Sequence, residues 1–484
     1  MTPLLILSII AAYFGLLVLI SWYTSRGAGN NEFFLAGRNS PWYVVAFGMI
    51  GASLSGVTFI SIPGWVGSTG FGYMQVVLGY LVGYTVIATV LMPMYYRLNL
   101  TSIYGYLGQR LGPVSYRTGA SFFLLSRTIG SAFRLYLVAN VLQLVMFDAW
   151  GVPFVVTVAG TIGFIWLYTY RGGIKTIIWT DTLQTAFMLG AVGLTVLMIG
   201  REMGWGLAEV VHQVRASDLS QIFFFGDRNS KNYFWKQFVS GAFIAIVMTG
   251  LDQDMMQKNL SCRNIREAQI NMFSFSAVLV FVNLAFLALG ALLYMYAAHI
   301  GLEVPKRTDD LYPLLATGGY LPVSVGILFI LGLIAAAYSS ADSALTALTT
   351  SVCVDMLDII KRPEAEQKPL RLRVHIGMSV LMAVVIVIFR AVNDDSVISA
   401  VFTVAGYTYG PLLGLFSFGM MTKRSVRDTL VPLVCVASPI ICYVLNLHSA
   451  EWLGGYKFGF ELLILNGTLT FLGLMALSKP AHER

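Results

Sequence analysis

Runs without charge set the frame of this chain. Positions 39 to 96 and 268 to 302 contain no Asp, Glu, Lys or Arg, so single stretches exceed the roughly 20 apolar residues that span a hydrocarbon core. Walking from charged loop to charged loop predicts thirteen apolar helices, near 3–23, 41–69, 73–95, 118–147, 152–170, 176–200, 233–253, 269–298, 321–356, 374–392, 397–419, 427–446 and 458–478. The expected fold class is an all-α polytopic membrane protein. Setting aside the first helix and the last two leaves five spans in each of two stretches of similar length. An odd number per half makes the halves enter the bilayer from opposite sides, which is the arithmetic of a five-plus-five inverted repeat. The expected divisions are an extra helix at 1–24, a first repeat at 41–200, an outer loop at 201–232, a second repeat at 233–420 and two closing helices at 425–478.

Two spans depart from a plain apolar pattern. The second reads FGMIGASLSGVTFISIPGWVGSTGFG, and its Gly48, Gly51, Gly56, Pro63 and Gly64 are a density of weak helix formers that predicts a discontinuous helix. Unwound backbone inside a bilayer is tolerated where its carbonyls find protein, water or an ion, so 51–58 is a candidate site, with hydroxyls at Ser53, Ser55 and Thr58. The same glycines also suit a small-residue packing face. In the ninth span, Ser339, Asp342, Ser343, Thr346 and Thr350 follow i, i+3, i+4, i+7 and i+11, a hydrophilic stripe about 16 Å long on one helical face. Hydroxyls, carbonyls and a carboxylate are hard oxygen donors suited to a hard cation, although serines and threonines on a helix also bond back to the preceding turn.

Other charges within apolar runs are few. Asp181 in the sixth span would add a carboxylate to the Ser339–Ser343 face if the two helices pack together, giving a sodium site or, equally, a proton site. Arg127 and Arg134 lie seven apart with Ser131 between them, on one face of the fourth span. A guanidinium at that depth faces a cavity, a carboxylate or carbonyls, so the pair suggests an anionic solute or, alternatively, a staple between helices.

Composition narrows the choice further. The chain of 484 residues is 57% apolar and 11% charged, against about 25% charged for a soluble domain. The net charge of +7 follows from basic loops facing anionic lipid, and no nucleic-acid partner is expected. With the N-terminus outside and the C-terminus cytoplasmic, the inner loops hold most of the 31 Lys and Arg residues. The first apolar stretch lacks a small-residue cleavage pattern and is expected to be retained. Cys262, Cys353, Cys435 and Cys442 have no metal-ligand spacing, and neither a catalytic dyad nor a soluble signalling domain is evident, so an enzyme or a sensor is not expected.

These pieces together resemble the sodium/solute symporters. The matching motifs are EFFLAGR (Glu32 to Arg38), SLSGVTFISIPG (Ser53 to Gly64), TSIYGYLGQRLG (Thr101 to Gly112), GGIKTIIWTDTLQ (Gly172 to Gln184), LDQDMMQKNL (Leu251 to Leu260) and AAAYSSADSAL (Ala335 to Leu345), in the family's order. The resemblance implies the leucine-transporter type fold, alternating access, a bacterial inner-membrane location and a carrier working as a monomer. It implies a main sodium site at the carbonyls of Gly51, Leu54 and Ala336 and the hydroxyls of Ser339 and Ser340. A second sodium site would match Asp181, Ser339, Asp342 and Ser343, although members with that site often have serine where this chain has Asp342. Sodium is the only metal expected.

The sugar carriers of that family place Asn, Glu and Gln where this chain has Ser53, Val57 and Thr58, so a galactose-type site is not expected. The pattern from Ser55 to Pro63 instead resembles the sialic acid and organic anion carriers, whose arginine falls near Ser131, between Arg127 and Arg134. Gln75, Asp252 and Gln253 are further cavity candidates. The expected function is sodium-coupled import of a small organic solute, an anion such as sialic acid or another carboxylate; the alternative is proton coupling, or a neutral sugar, amino acid or vitamin.

Overall fold

The computed structural model describes residues 3–24, 36–169, 174–392 and 397–479. Glu32 to Leu35 and Gly172–Gly173, parts of two motifs above, lie outside the described residues. The chain is a bundle of helices: α1 (Pro3–Thr24), α2 (Trp42–Ser53), α3 (Gly56–Thr69), α4 (Tyr73–Arg97), α5 (Pro113–Leu142), α6 (Phe154–Thr169), α7 (Ile174–Glu202), α8 (Phe234–Gly250), α9 (Gln253–Asn259), α10 (Ile265–His299), α11 (Val323–Ser351), α12 (Glu364–Val392), α13 (Val397–Thr408), α14 (Gly410–Met421), α15 (Val431–Leu447) and α16 (Leu462–Ala476). Strand β1 (Ser425–Val426) pairs antiparallel with β2 (Ser478–Lys479) and joins the segments following α14 and α16.

Among the described residues, eight helices are long and apolar enough to cross a membrane, and up to 11 spans result if each of three bent pairs counts as one. The shorter apolar helices Phe154–Leu167 and Leu462–Ala476 lie where two further spans are predicted. The bent pairs are α2–α3 at 54°, α8–α9 at 71° and α13–α14 at 43°. Only the first is anticipated by the sequence. The second opens each half alike, because α8–α9 heads the second group of five as α2–α3 heads the first.

Each break has a local cause. At α2–α3 the backbone ladder stops with Leu54 N–H on Ile50 O (2.9 Å) and resumes with Phe59 N–H on Ser55 O (3.1 Å), which takes the carbonyls of 51–54 out of the i+4 pattern. The interruption therefore falls at Leu54–Ser55, between the glycines. Gly48 and Gly51 let α2 lie against α7 instead: a Cβ on Gly51 would meet Thr185 Oγ1 at 2.2 Å, and one on Gly48 would meet Asp181 Cβ at 3.1 Å. At α8–α9 a wider π turn, Ile246–Gly250, ends with Leu251 N–H on Ile246 O, and Asp252 then caps α9 by accepting from the N–H groups of Asp254 and Met255.

Burial separates centre from periphery. Of the most apolar stretch of α11, 72% is buried, against 22% in α15, whose Leu433, Val436 and Ile440 are exposed as expected of a helix facing lipid. Around α11 pack α2, α3, α5, α7, α9 and α12. The polar stripe on α11 is thus inside protein, where every hydroxyl must meet a partner, a water or an ion.

Candidate functional site

Three helices converge on Asp181 of α7, which is wholly buried. Ser339 Oγ of α11 donates to its Oδ1 at 2.6 Å, Lys258 Nζ of α9 donates to its Oδ2 at 2.6 Å, and Gly48 and Gly51 of α2 lie against it. Gly51, Leu54, Ala336, Ser339 and Ser340 are all buried. Gly51 of α2 and Ser339 of α11 thus both lie against α7, at Thr185 and at Asp181, and freed carbonyls and hydroxyls are donors that suit a hard cation.

Beside this point opens a cavity of about 90 Å³. Ser53, Leu54, Ser55 and Thr58 of the broken helix border it, together with Tyr73, Tyr80, Thr249, Asn283, Arg127 and Arg134. Its roof, toward the face bearing the 203–233 connection, is aromatic. Phe402 stands 4.7 Å from Phe460 and 6.5 Å from Tyr73 between ring centroids, and Trp65 closes the group at 6.3 Å from Tyr73.

The two arginines have different roles. Arg127 is paired: its Nη2 contacts Asp254 Oδ2, its Nη1 lies 3.9 Å from Asp252 Oδ2, and all three residues are buried. Arg134, two turns further along α5, forms no ion pair among the described residues, and its Nη1 donates to Ser340 Oγ at 3.4 Å. A guanidinium that borders a cavity without a carboxylate is a ready fork for one.

Three of the predicted cavity residues are structural. Gln75 lines no part of the cavity: its amide donates to Gly72 O and Asn232 O and accepts from Phe224 N–H, pinning the long connection. Gln253 accepts from Ile103 N–H and donates to Thr101 O, both at 2.9 Å, pinning the opposite loop. Asp252 is spent on the α9 cap and on Tyr409, whose hydroxyl donates to it at 2.5 Å. The two amides are held mainly by backbone remote in the sequence, and Asp252 by its own helix and the Tyr409 hydroxyl.

The proposed second sodium set also meets other partners. Asp181 holds Lys258 and Ser339, Ser343 Oγ donates to Asp254 Oδ1 at 2.7 Å, and Asp342 Oδ1 accepts from Ser343 N–H at 2.5 Å. Asp254 and Lys258 escaped sequence reasoning. Their signal was present in LDQDMMQKNL, two opposite charges at i, i+4 beside an apolar span, but that stretch reads as the end of a span and not as a buried half-helix.

At the roof, the short helical turn Thr308–Asp310 presses on α3, where a Cβ on Gly64 would meet Thr308 O at 2.5 Å. Burial pushes the Asp309 carboxyl up to about 6, against the downward pull of the Ser61 hydroxyl and the Val397 amide.

Two groups of five helices, each headed by a broken member, with hard oxygen donors and a cavity at the first break, define a secondary transporter of the leucine-transporter fold class. Residues 33–428 match the sodium:solute symporter family, and the chain belongs to it. It is a sodium-coupled symporter of a small organic solute, embedded in a membrane by several spans, and not an enzyme. Among relatives, it is 27% identical to the sodium/sialic acid symporter NanT of Aliivibrio fischeri, over 93% of this chain and 88% of that protein. It is 23% identical to the sodium/sialic acid symporter SiaT of Proteus mirabilis, over 86% and 85%. It is 25% identical to sodium-coupled monocarboxylate transporter 1 of Xenopus laevis, over 84% and 67%. In fold it resembles a substrate-bound, outward-open sodium-coupled sialic acid symporter, with a TM-score of 0.84 at 20% identity over 98% of this chain and 99% of that one. The nucleobase-cation-symport-1 family transporter Mhp1 follows at 0.56 and 14%, over 92% and 93%.

Proposed function

We propose that the imported solute is a small organic carboxylate, held by Arg134 with the hydroxyls of Ser53, Ser55 and Thr58, and that sodium binds the carbonyls of Gly51, Leu54 and Ala336 and the hydroxyls of Ser339 and Ser340. One observation carries the solute class: of the two guanidiniums at the cavity, Arg127 is neutralised by Asp254 while Arg134 is not. Sialic acids and monocarboxylates, named for the relatives above, are carboxylates and support the same class. The contact between Arg134 and Ser340 links the two sites, since a carboxylate that draws the guanidinium away leaves the Ser340 oxygen to the ion. Sodium assists uptake to the extent that it binds one conformation better than the other.

The bacterial relatives support an inner-membrane location, and the basic loops support an N-terminus outside and a cytoplasmic C-terminus, which puts the aromatic roof outside and α9 at the cytoplasmic end. Cavity and ion ligands come from a single chain, which supports a functional monomer. The test is a thermal-shift screen of purified protein against carboxylates, sugars, amino acids and vitamins, with and without sodium, because a ligand of the folded state raises apparent stability. Carboxylates alone should give a sodium-dependent rise; a neutral sugar as the sole hit rejects the solute class.

A further inference from the structure

Helix α9 carries two opposite charges one turn apart, and each is used on a different neighbour. Asp254 meets Arg127 of α5 and accepts from Ser343 of α11; Lys258 meets Asp181 of α7, which in turn accepts from Ser339 of α11. Lys258, at 1% exposure, ranks among the largest fully buried side chains of the molecule. An ammonium is rarely buried so fully unless a carboxylate compensates it, and here the carboxylate is one that a second sodium ion would use.

A hard cation at Asp181 would need carboxylate and hydroxyl lone pairs turned toward it. The Lys258 ammonium already stands 2.6 Å from Oδ2, and Ser339 directs its proton at Oδ1. Ser343 has its proton committed to Asp254, away from Asp181. Asp342 lies on the flank of α11 within electrostatic reach of Tyr13 of α1. A sodium ion added against Asp181 would face an ammonium in a fully buried site, where repulsion is screened far less than at a surface. The same bond has the opposite effect at the main site. With its proton held by Asp181, Ser339 offers only lone pairs to an ion between α2 and α11.

We propose that the Lys258 ammonium is a tethered cation standing where a second sodium ion would bind against Asp181, so that this carrier moves one sodium ion per solute, through the Gly51–Ser340 site alone. The inference rests on sodium coupling and deepens it. Because Lys258 rides on the half-helix α9, its charge remains on the protein throughout the cycle, and the number of charges moved per solute falls by one relative to a two-sodium carrier.

The experiment needs no solute: 22Na+ binding to the purified chain, counted per polypeptide. Wild-type protein should bind one sodium ion, Ser340→Ala none, and Lys258→Ala two, since the freed Asp181 carboxylate then takes an ion. The double variant Asp181→Asn/Lys258→Met, which removes both charges, should return to one. Two ions on wild-type protein, or one remaining on Ser340→Ala, overturns the proposal while leaving sodium coupling intact. A folded Lys258→Ala that still binds only one ion also overturns it; should that variant not fold, the wild-type and Ser340→Ala counts decide. Wild-type protein binding no sodium removes the coupling itself, and this inference with it.

Discussion

Replacing Arg134 by Gln separates the solute reading from simple helix stapling. Among the described residues the guanidinium borders the cavity, pairs with no carboxylate and donates to Ser340 at 3.4 Å, so its removal strands no paired anion. A hydrogen bond to a charged group contributes about 1.5–3 kcal/mol. At about 1.4 kcal/mol per factor of ten, the dissociation constant of a carboxylate solute should rise about 10- to 150-fold. The uncharged amide of the same solute should lose much less. Arg127→Gln is the contrast, because it strands Asp254, and breaking a buried ion pair on one side costs about 3–5 kcal/mol of stability. That variant should lower the melting temperature and weaken acid and amide alike. Equilibrium binding of the acid and its amide to both purified variants, with a melting curve for each, is the assay. Equal losses for acid and amide in Arg134→Gln would refute the reasoning and make Arg134 a staple like Arg127.

Three further outcomes follow from the geometry. Ser340→Ala removes a proposed sodium ligand and should abolish sodium-stimulated uptake with the protein still in the membrane; unchanged sodium dependence removes the residue from the site. Gly51→Ala places a Cβ 2.2 Å from Thr185 Oγ1 and should cost about 1–3 kcal/mol through overpacking, and adding Thr185→Ala should restore most of it. Thermal denaturation of the single and double variants gives the comparison, and additive losses would argue that α2 and α7 are not this close. Asp309 titrates near 6 in the folded protein, above its usual 3.8, so the folded state holds the proton more tightly. The stabilisation is present at low pH and is lost as pH rises through about 6, with Asp310 and Arg307 as the charged neighbours. Wild-type protein should melt higher at pH 5 than at pH 7 by an amount that Asp309→Asn abolishes, and an identical pH slope in that variant would contradict the assignment.

Legibility from sequence followed the range of each interaction. Charge-free runs located the spans because transfer into lipid is a property of each segment alone, and the stripe from Ser339 to Thr350 was visible because helical periodicity is local. The break in the first core helix was foreseen, but for a different reason: the glycines read as helix breakers are contact points for Asp181, Thr185 and Thr308, and the coil itself is at Leu54–Ser55. The break at Leu251 was missed because a capping aspartate after a glycine reads equally well as the end of a span. The bend before Gly410 had a weak local mark, Gly410–Pro411, inside an uninterrupted apolar run. Partner choice was the least legible. Whether Arg127 or Arg134 is neutralised depends on Asp254, more than a hundred residues away in the chain, and Gln75 was misread because Asn232 and Phe224 are equally remote.

The ion pairs on α9 constrain how this end of the carrier can open. If α9 moves alone, Arg127 and Lys258 part from Asp254 and Asp181, and each separation in a dry interior costs several kcal/mol. If α5 and α7 move with it, the pairs survive but Ser339 and Ser343 of α11 lose their acceptors. Either route becomes feasible once water reaches the charges, since water satisfies a parted carboxylate or ammonium at little cost. The lower half of the stripe lies where that water would arrive: Thr346 and Thr350 are fully buried beside Gln257 of α9, whose amide donates to Thr350 Oγ1 at 3.2 Å. Opening and wetting are then one event, and hydroxyls on this stretch of α11 serve the hydrated state of the gate as well as the closed one.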